Sequence, residues 1–203
     1  GRRQPHHRLH AEFLRKELTS LANSERKTLA VLVDNESGVL SRVARLFSGK
    51  GYNIESLAVG ATEDPKVSRI TIEVYADEER ITLLVNQLRK LFPVHSIKRL
   101  PLSNSIRREL VLIKVRTVDN AARSEILQIA SVFRTSIIDV SVDTLTLAVI
   151  GDESKVDAMQ KMLEMHGILE LVRTGVIALE RGKDTINDDT KVKGEFNYGK
   201  NVL

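Results

Sequence analysis

Cysteine is absent from the 203 residues. That excludes disulfides, thiolate metal sites and cysteine nucleophiles, and it fits a reducing compartment. Tryptophan is also absent, and aromatic residues make up only 4% of the chain. No apolar run approaches the roughly 18 residues a membrane span needs, and no secretory signal pattern is visible. A large excess of one charge sign is missing too: the formal net charge is +4, with basic residues scattered, which describes a solvated surface rather than a nucleic-acid footprint. Catalytic signatures are lacking as well. There is no P-loop, nucleophile elbow, paired-histidine metalloprotease motif or kinase signature. Gly49-Lys50-Gly51 begins like a dinucleotide fingerprint but lacks the third glycine. His95 and His166 stand alone near element ends, and the carboxylates fall mostly on helix surfaces. Nothing assembles an acid–base pair or a ligand set, which argues against a catalyst.

What is present is regular. With 42% hydrophobic and 29% charged residues, the composition is that of a soluble globular protein of one or two domains. Residues 1–27 read as an N-terminal extension. It carries His6, His7 and His10 and an apolar stripe of Leu9, Phe13, Leu14, Leu18 and Leu21, an amphipathic helix over residues 8–22. From residue 28 to residue 101 the pattern predicts strand (28–33), helix (39–50), strand (52–61), strand (68–75), helix and strand (94–100). Ile70, Ile72 and Val74 alternate with polar neighbours. The second helix carries Ile81, Leu84, Val85, Leu88, Leu91 and Phe92 and stops at Pro93. Residues 101–108 form a linker, and the same grammar then repeats over residues 107–181. Its strands are 109–115, 137–142, 145–150 and 168–172, with an optional edge strand at 176–179. Ile126, Ile129 and Phe133 mark one helix, and Val156, Met159 and Leu163 mark another, with Gly167 as its C-terminal cap. The expected fold class is α+β: two tandem ferredoxin-like βαββαβ units. Residues 182–203 read as a mobile polar tail, with Phe196 and Tyr198 able to dock on a partner.

RNA-recognition modules share this element order, but they stack bases on aromatics of their central strands. The equivalent strand here carries Glu73 in its middle and one aromatic, Tyr75, at its end. A small-ligand site fits better. Asn35-Glu36-Ser37-Gly38-Val39-Leu40 stands where the first strand gives way to the first helix. Gly38 lacks a Cβ and lets a ligand approach closely. The first-turn N–H groups there have no intrahelical partner and suit a carboxylate. Asn53 and Ile54 add an amide and an apolar wall. A carboxylate would take the N–H groups of Gly38, Val39 and Leu40. The amides of Asn35 and Asn53 would orient the ligand, and Leu40 and Ile54 would contact a branched side chain. One such site on one small domain is half open, and a second protomer placed edge to edge would close it. Taken singly, Gly38 is also explained as a turn glycine and Asn35 as a capping residue.

At these residues the chain resembles the small regulatory subunit of acetohydroxyacid (acetolactate) synthase. The segments that carry the resemblance are Leu32-Val33-Asp34-Asn35-Glu36-Ser37-Gly38-Val39-Leu40-Ser41-Arg42, Gly51-Tyr52-Asn53-Ile54-Glu55-Ser56-Leu57 and Ser68-Arg69-Ile70-Thr71-Ile72. Arg108-Glu109-Leu110-Val111-Leu112-Ile113-Lys114-Val115, Ile138-Asp139-Val140 and Arg173-Thr174-Gly175-Val176-Ile177-Ala178-Leu179 follow. The resemblance implies that residues 28–101 form an ACT domain that binds valine, or leucine or isoleucine, at a homodimer interface. The effector contacts would be Asn35, Gly38, Val39, Leu40, Asn53 and Ile54. It implies that the second unit engages and activates a large catalytic subunit. Thiamine diphosphate, magnesium and FAD would belong to that subunit, with no cofactor, metal or catalytic residue in this chain. It also implies a cytoplasmic location in bacteria, or a plastid or mitochondrial one after transit-peptide removal. A free-standing amino-acid-binding ACT module that regulates another enzyme or a transcription factor is the alternative.

Overall fold

The computed structural model describes residues 24–189. The expected helix over residues 8–22, the histidines His6, His7 and His10, and the tail aromatics Phe196 and Tyr198 lie outside the described residues. The first unit comprises β1 (Glu25–Asp34), α1 (Val39–Gly49), β2 (Ile54–Ala61), β3 (Val67–Ala76), α2 (Glu78–Leu88) and β4 (Val94–Arg99). The second comprises β5 (Ser105–Arg116), α3 (Asn120–Val132), β6 (Ser136–Val140), β7 (Thr144–Gly151), α4 (Glu153–Glu164), β8 (Ile168–Arg173) and β9 (Ile177–Glu180). The sheet orders are β2-β3-β1-β4 and β6-β7-β5-β8, with β9 added on β5. Two α+β units of ferredoxin-like order follow one another in the chain.

Strand alternation decides which face each sheet buries. Leu29 faces Ile72 and Val31 faces Ile70 across β1 and β3. These side chains pack under Val43 and Phe47 of α1 and Ile81, Leu84 and Leu88 of α2. In the second unit Val111, Ile113 and Val115 of β5 pack with Leu147 and Val149 of β7 beneath Ile126, Val156, Met159 and Leu163. Three helices begin on aspartate caps, whose side chains accept backbone N–H bonds as helix starts require. Asp77 accepts from Arg80, Asp119 from Ala122 and Asp152 from Lys155. The fourth helix, α1, begins on Gly38 with no side-chain cap.

Three expectations are corrected. The second helix ends at Leu88 rather than running to Pro93. Tight bonds from Lys90 N–H to Gln87 O and Leu91 N–H to Leu88 O follow it. This narrower turn swings Phe92 off the buried face, leaving it 86% exposed. The linker is shorter than residues 101–108, because β5 starts at Ser105 and its first four residues pair with β9. The tail is also held further than residue 181. Ile186 is buried, its carbonyl accepts from Ser96 Oγ at 2.6 Å, and Thr185 O accepts from Lys98 Nζ at 3.0 Å. Ile186 and these two bonds hold residues 185 and 186 against β4.

The two units meet across the face of the first sheet that the helices leave open. Ala30, Leu32 and Leu100 there contact Ala178 of β9 and Ile186. On the same face Glu73 is 1% exposed. Its carboxylate pairs with the Arg107 guanidinium of β5, lies 3.9 Å from Arg26 and accepts a 3.2 Å bond from Thr28 Oγ1. Arg107 also donates to Thr28 Oγ1 at 2.6 Å. Burial pulls the Arg107 guanidinium down from its ordinary value.

Two outcomes are expected. Arg107→Ala strands a buried carboxylate, so urea denaturation is expected to show a loss of about 3 kcal/mol. The second concerns Glu78, whose carboxylate accepts from Lys27 Nζ at 2.6 Å and from Arg99 Nη2 at 2.5 Å. Those bonds hold its pKa down at about 2 against an ordinary 4.5. A depressed carboxylate contributes stability that is complete above the ordinary value and lost as pH falls through the depressed one. Stability measured against pH is therefore expected to decline between 4.5 and about 2, and Glu78→Gln is expected to flatten that limb.

Candidate functional site

The six residues singled out by sequence fall into two groups. The first lies in the β1–α1 turn. Asn35 N–H donates to Lys66 O at 2.8 Å, and its side-chain Nδ2 donates to Pro65 O at 2.9 Å. The turn that starts α1 is thereby tied to the turn between β2 and β3. Gly38 has φ 82, the left-handed region that favours glycine, and nothing lies within 4 Å of where a Cβ would stand. Val39 N–H makes only a long 3.4 Å bond to Glu36 O, and the first full helical bond runs from Arg42 N–H to Gly38 O at 3.1 Å. The N–H groups of Leu40 and Ser41 precede that bond, as at any helix start. The Val39 side chain is in the core, while Leu40 is exposed. Val39 therefore presents only its backbone at this turn.

The second group is Asn53 and Ile54 at the head of β2. Tyr52 places them. Its N–H donates to Phe47 O at 3.0 Å, its ring meets Phe47 edge-on, and its hydroxyl donates to Arg80 O at 2.7 Å. The Arg80 guanidinium also stands 4.7 Å from the Tyr52 ring centroid. Asn53 Nδ2 donates to Glu55 Oε1 at 2.7 Å. Ile54 packs half-buried against the first core. A register shift follows it, between Ile54 and Ser56.

One protomer does not bring the two groups together. β1 and β2 are each antiparallel to β3, so they run parallel to one another. Asp34 ends β1 at one end of the strands, and Ile54 starts β2 at the opposite end. The 11 residues of α1 separate them, about 16 Å of helix. The sequence expectation of a pocket assembled by these elements within one unit is corrected accordingly.

Three clefts among the described residues lie at the junction between the units. One of 430 Å³ is lined by Arg26, Glu73, Arg107 and Glu153 among others. A neighbouring cleft of 290 Å³ lies between Ser56 and Leu57 of β2 and Arg173, Thr174, Gly175 and Val176. A more apolar groove of 620 Å³ runs between β2 and β9. Their charged groups are met within the chain: Arg26 pairs with Glu153, and Arg173 Nη1 donates to Glu109 Oε1 at 3.0 Å. Burial pushes the Glu109 carboxyl up, opposed by the Arg173 charge.

Sequence reasoning did not find Ser56, Glu73, Arg107 or Gly175 as junction residues. A glutamate inside an alternating apolar strand was the visible signal for Glu73. Among the described residues no group of three or more histidines, cysteines or carboxylates is placed to hold a metal. His95 Nε2 instead meets Asp34 Oδ1 at 2.5 Å. Nor is any helix among the described residues long and apolar enough to cross a membrane.

Comparison with known proteins adds the following. Residues 29–96 match a family model described as the AHAS small subunit-like ACT domain, and residues 108–182 match one described as the small subunit of acetolactate synthase. The acetolactate synthase small subunit of Aquifex aeolicus is 47% identical over 153 residues, 75% of this chain and 80% of that protein. That of Mycobacterium leprae is 47% identical over 155 residues, 76% of this chain and 91% of that one. The crystal structure of the acetolactate synthase small subunit from Thermotoga maritima superposes with a TM-score of 0.74 at 35% identity, covering 79% of this chain and 99% of that one.

The Gly38 geometry makes a local prediction. Gly38→Ala meets no steric obstacle, so its cost is that of left-handed backbone alone, about 1–2 kcal/mol. Chemical denaturation of the variant is expected to show that loss with an unchanged denaturant slope.

Proposed function

Because the chain belongs to the acetolactate synthase small-subunit family, a family of regulatory subunits with an ACT domain, we propose how its two units divide the work. The second unit docks on the catalytic subunit and raises its turnover. The first unit binds valine, or leucine or isoleucine, and lowers that activity when filled. Thiamine diphosphate, magnesium and FAD are assigned to the catalytic subunit and none of them to this chain. The bacterial and archaeal relatives favour the cytoplasm over a plastid or mitochondrion. The match of residues 108–182 to the small-subunit family favours a docking subunit over a free-standing ACT module.

The observation that carries the effector site is the start of α1. Where the other helices bind their first-turn N–H groups with an aspartate, α1 offers a bare left-handed glycine with open space beside it. A ligand carboxylate suits the unopposed positive end of the helix dipole there. Asn53 and Ile54 complete the site from a second copy of the chain. β2 is an edge strand of its sheet. If it pairs antiparallel with its counterpart about a two-fold axis, the head of one β2 lies beside the far end of the other. Ala61 ends β2 next to the turn that Asn35 holds. Such a homodimer brings Asn53 and Ile54 of one protomer to Asn35, Gly38, Val39 and Leu40 of its partner. A two-fold dimer then carries two equivalent sites.

Inhibition requires that the amino acid bind the less active arrangement better, since equal affinity for both shifts nothing. A coupling of about 1–3 kcal/mol is typical. Gly38→Asp tests the assignment. Aspartate tolerates left-handed backbone better than most residues, and its charge would occupy the carboxylate position. With the catalytic subunit supplied, the variant is expected to activate as the unaltered chain does and to lose valine inhibition. Full valine sensitivity in the variant would remove the site from Gly38.

A further inference from the structure

We infer that the β8–β9 loop, residues 174–176, is the joint through which occupancy of the effector site reaches the second unit. The inference rests on the reading above that Asn53 and Ile54 touch the effector, and it concerns residues with no part in binding it.

β2 is the strand best placed to respond. It has a single strand neighbour, β3, and its register slips between Ile54 and Ser56, the irregularity of a bulge that lets a strand bend locally. β1, β3 and β4 are tied to the second unit or to residues 184–187 by side chains on one face of the sheet. β2 meets the β8–β9 loop through the Leu57 carbonyl and the Ser56 hydroxyl. Gly175 has φ +84, and a Cβ there would stand 2.7 Å from Leu57 O and 3.2 Å from Ser56 Oγ. Val176 N–H donates to Ser56 Oγ at 2.8 Å. The loop rests directly on Leu57 O and is bonded to Ser56 Oγ, so a shift of Ser56 and Leu57 must displace the loop or break the bond. These contacts begin only two residues beyond Ile54.

The loop is equally fixed on its other side. Thr174 N–H donates to Leu110 O at 3.0 Å, and Leu110 N–H donates to Thr174 Oγ1 at 3.1 Å. Arg173, one residue earlier, donates through Nη2 to Asp157 Oδ1 at 3.1 Å and to Gln160 Oε1 at 2.9 Å on α4. The continuous series runs from Asn53 and Ile54, through Ser56 and Leu57, to the loop, and from there to β5 and α4. Packed and bonded elements of this kind carry coupling when they hold two arrangements that both ends bias.

The test uses the full chain assembled with an acetolactate synthase catalytic subunit, and valine as the probe. Ser56→Ala removes the acceptor for Val176, and Gly175→Ala forces the loop off β2. Lys98→Ala is the control. It breaks a different junction contact, the 2.5 Å pair between Lys98 and Glu180. Calorimetry on the isolated chains is expected to show unchanged valine binding for all three. In the assembled enzyme, Ser56→Ala and Gly175→Ala are expected to activate normally in the absence of valine. They should need at least ~5-fold more valine for half-inhibition, the lower end of ordinary coupling. Lys98→Ala is expected to match the unaltered chain. If Gly175→Ala does not fold, Ser56→Ala decides alone. Wild-type inhibition in Ser56→Ala, or equal uncoupling by Lys98→Ala, overturns the assignment of the joint. An unaltered chain that binds no valine overturns the effector reading itself, and the calorimetry separates that failure from the first.

Discussion

A buried carboxylate fixes how the two units sit. Glu73 lies on the helix-free face of the first sheet with almost no exposure, and an unpaired charge in such a place is strongly unfavourable. The Arg107 guanidinium that meets it comes from β5, the first strand of the second unit. On the same face Ala30, Leu32 and Ala178 pack together. Arg69 Nη2 donates to Ala178 O at 2.7 Å, which ties β9 to the same face. Ion pairing supplies orientation here and apolar burial supplies the adhesion. Two similar folds are thereby made into one body, which any transfer of information between them requires.

Chain direction imposes the second constraint. In a βαββαβ unit the first two strands run parallel, so the turn before α1 and the head of β2 stand at opposite ends of the helix. The expected effector residues divide along that line, and no side-chain rearrangement within one unit closes the gap. A second copy paired along β2 is the simplest geometry that restores the set. The end of β2 that would receive the partner's Gly38 turn is followed at once by Ser56 and Leu57, which touch the β8–β9 loop. Ligand, dimer contact and junction then share one short stretch of strand, residues 53–57.

The elements themselves were legible in the sequence because they obey local rules. Alternation of Ile70, Ile72 and Val74 marked β3, and helical spacing from Val39 to Phe47 marked α1. The α1 start could be read from Gly38 itself. What the sequence did not disclose depends on partners far along the chain. Glu73 stood out only as a charge in the wrong place, and Arg107, which answers it, lies in a stretch that reads as linker. Gly175 reads as an ordinary turn glycine until Leu57 O is found against it. Ile186 in a polar tail gave no sign of the surface that would bury it. Phe92 kept helical spacing past the point where tighter turns had already rotated the chain. Local pattern gives the elements, and packing decides which of their faces meet.

The measurement that bears most directly on the account is conversion of pyruvate to acetolactate by a catalytic subunit, with and without this chain, across a valine titration. Faster turnover on adding the chain, reversed as valine rises, is the predicted result. Turnover that is indifferent to the chain, with complex formation tested in the same samples and absent, would contradict it.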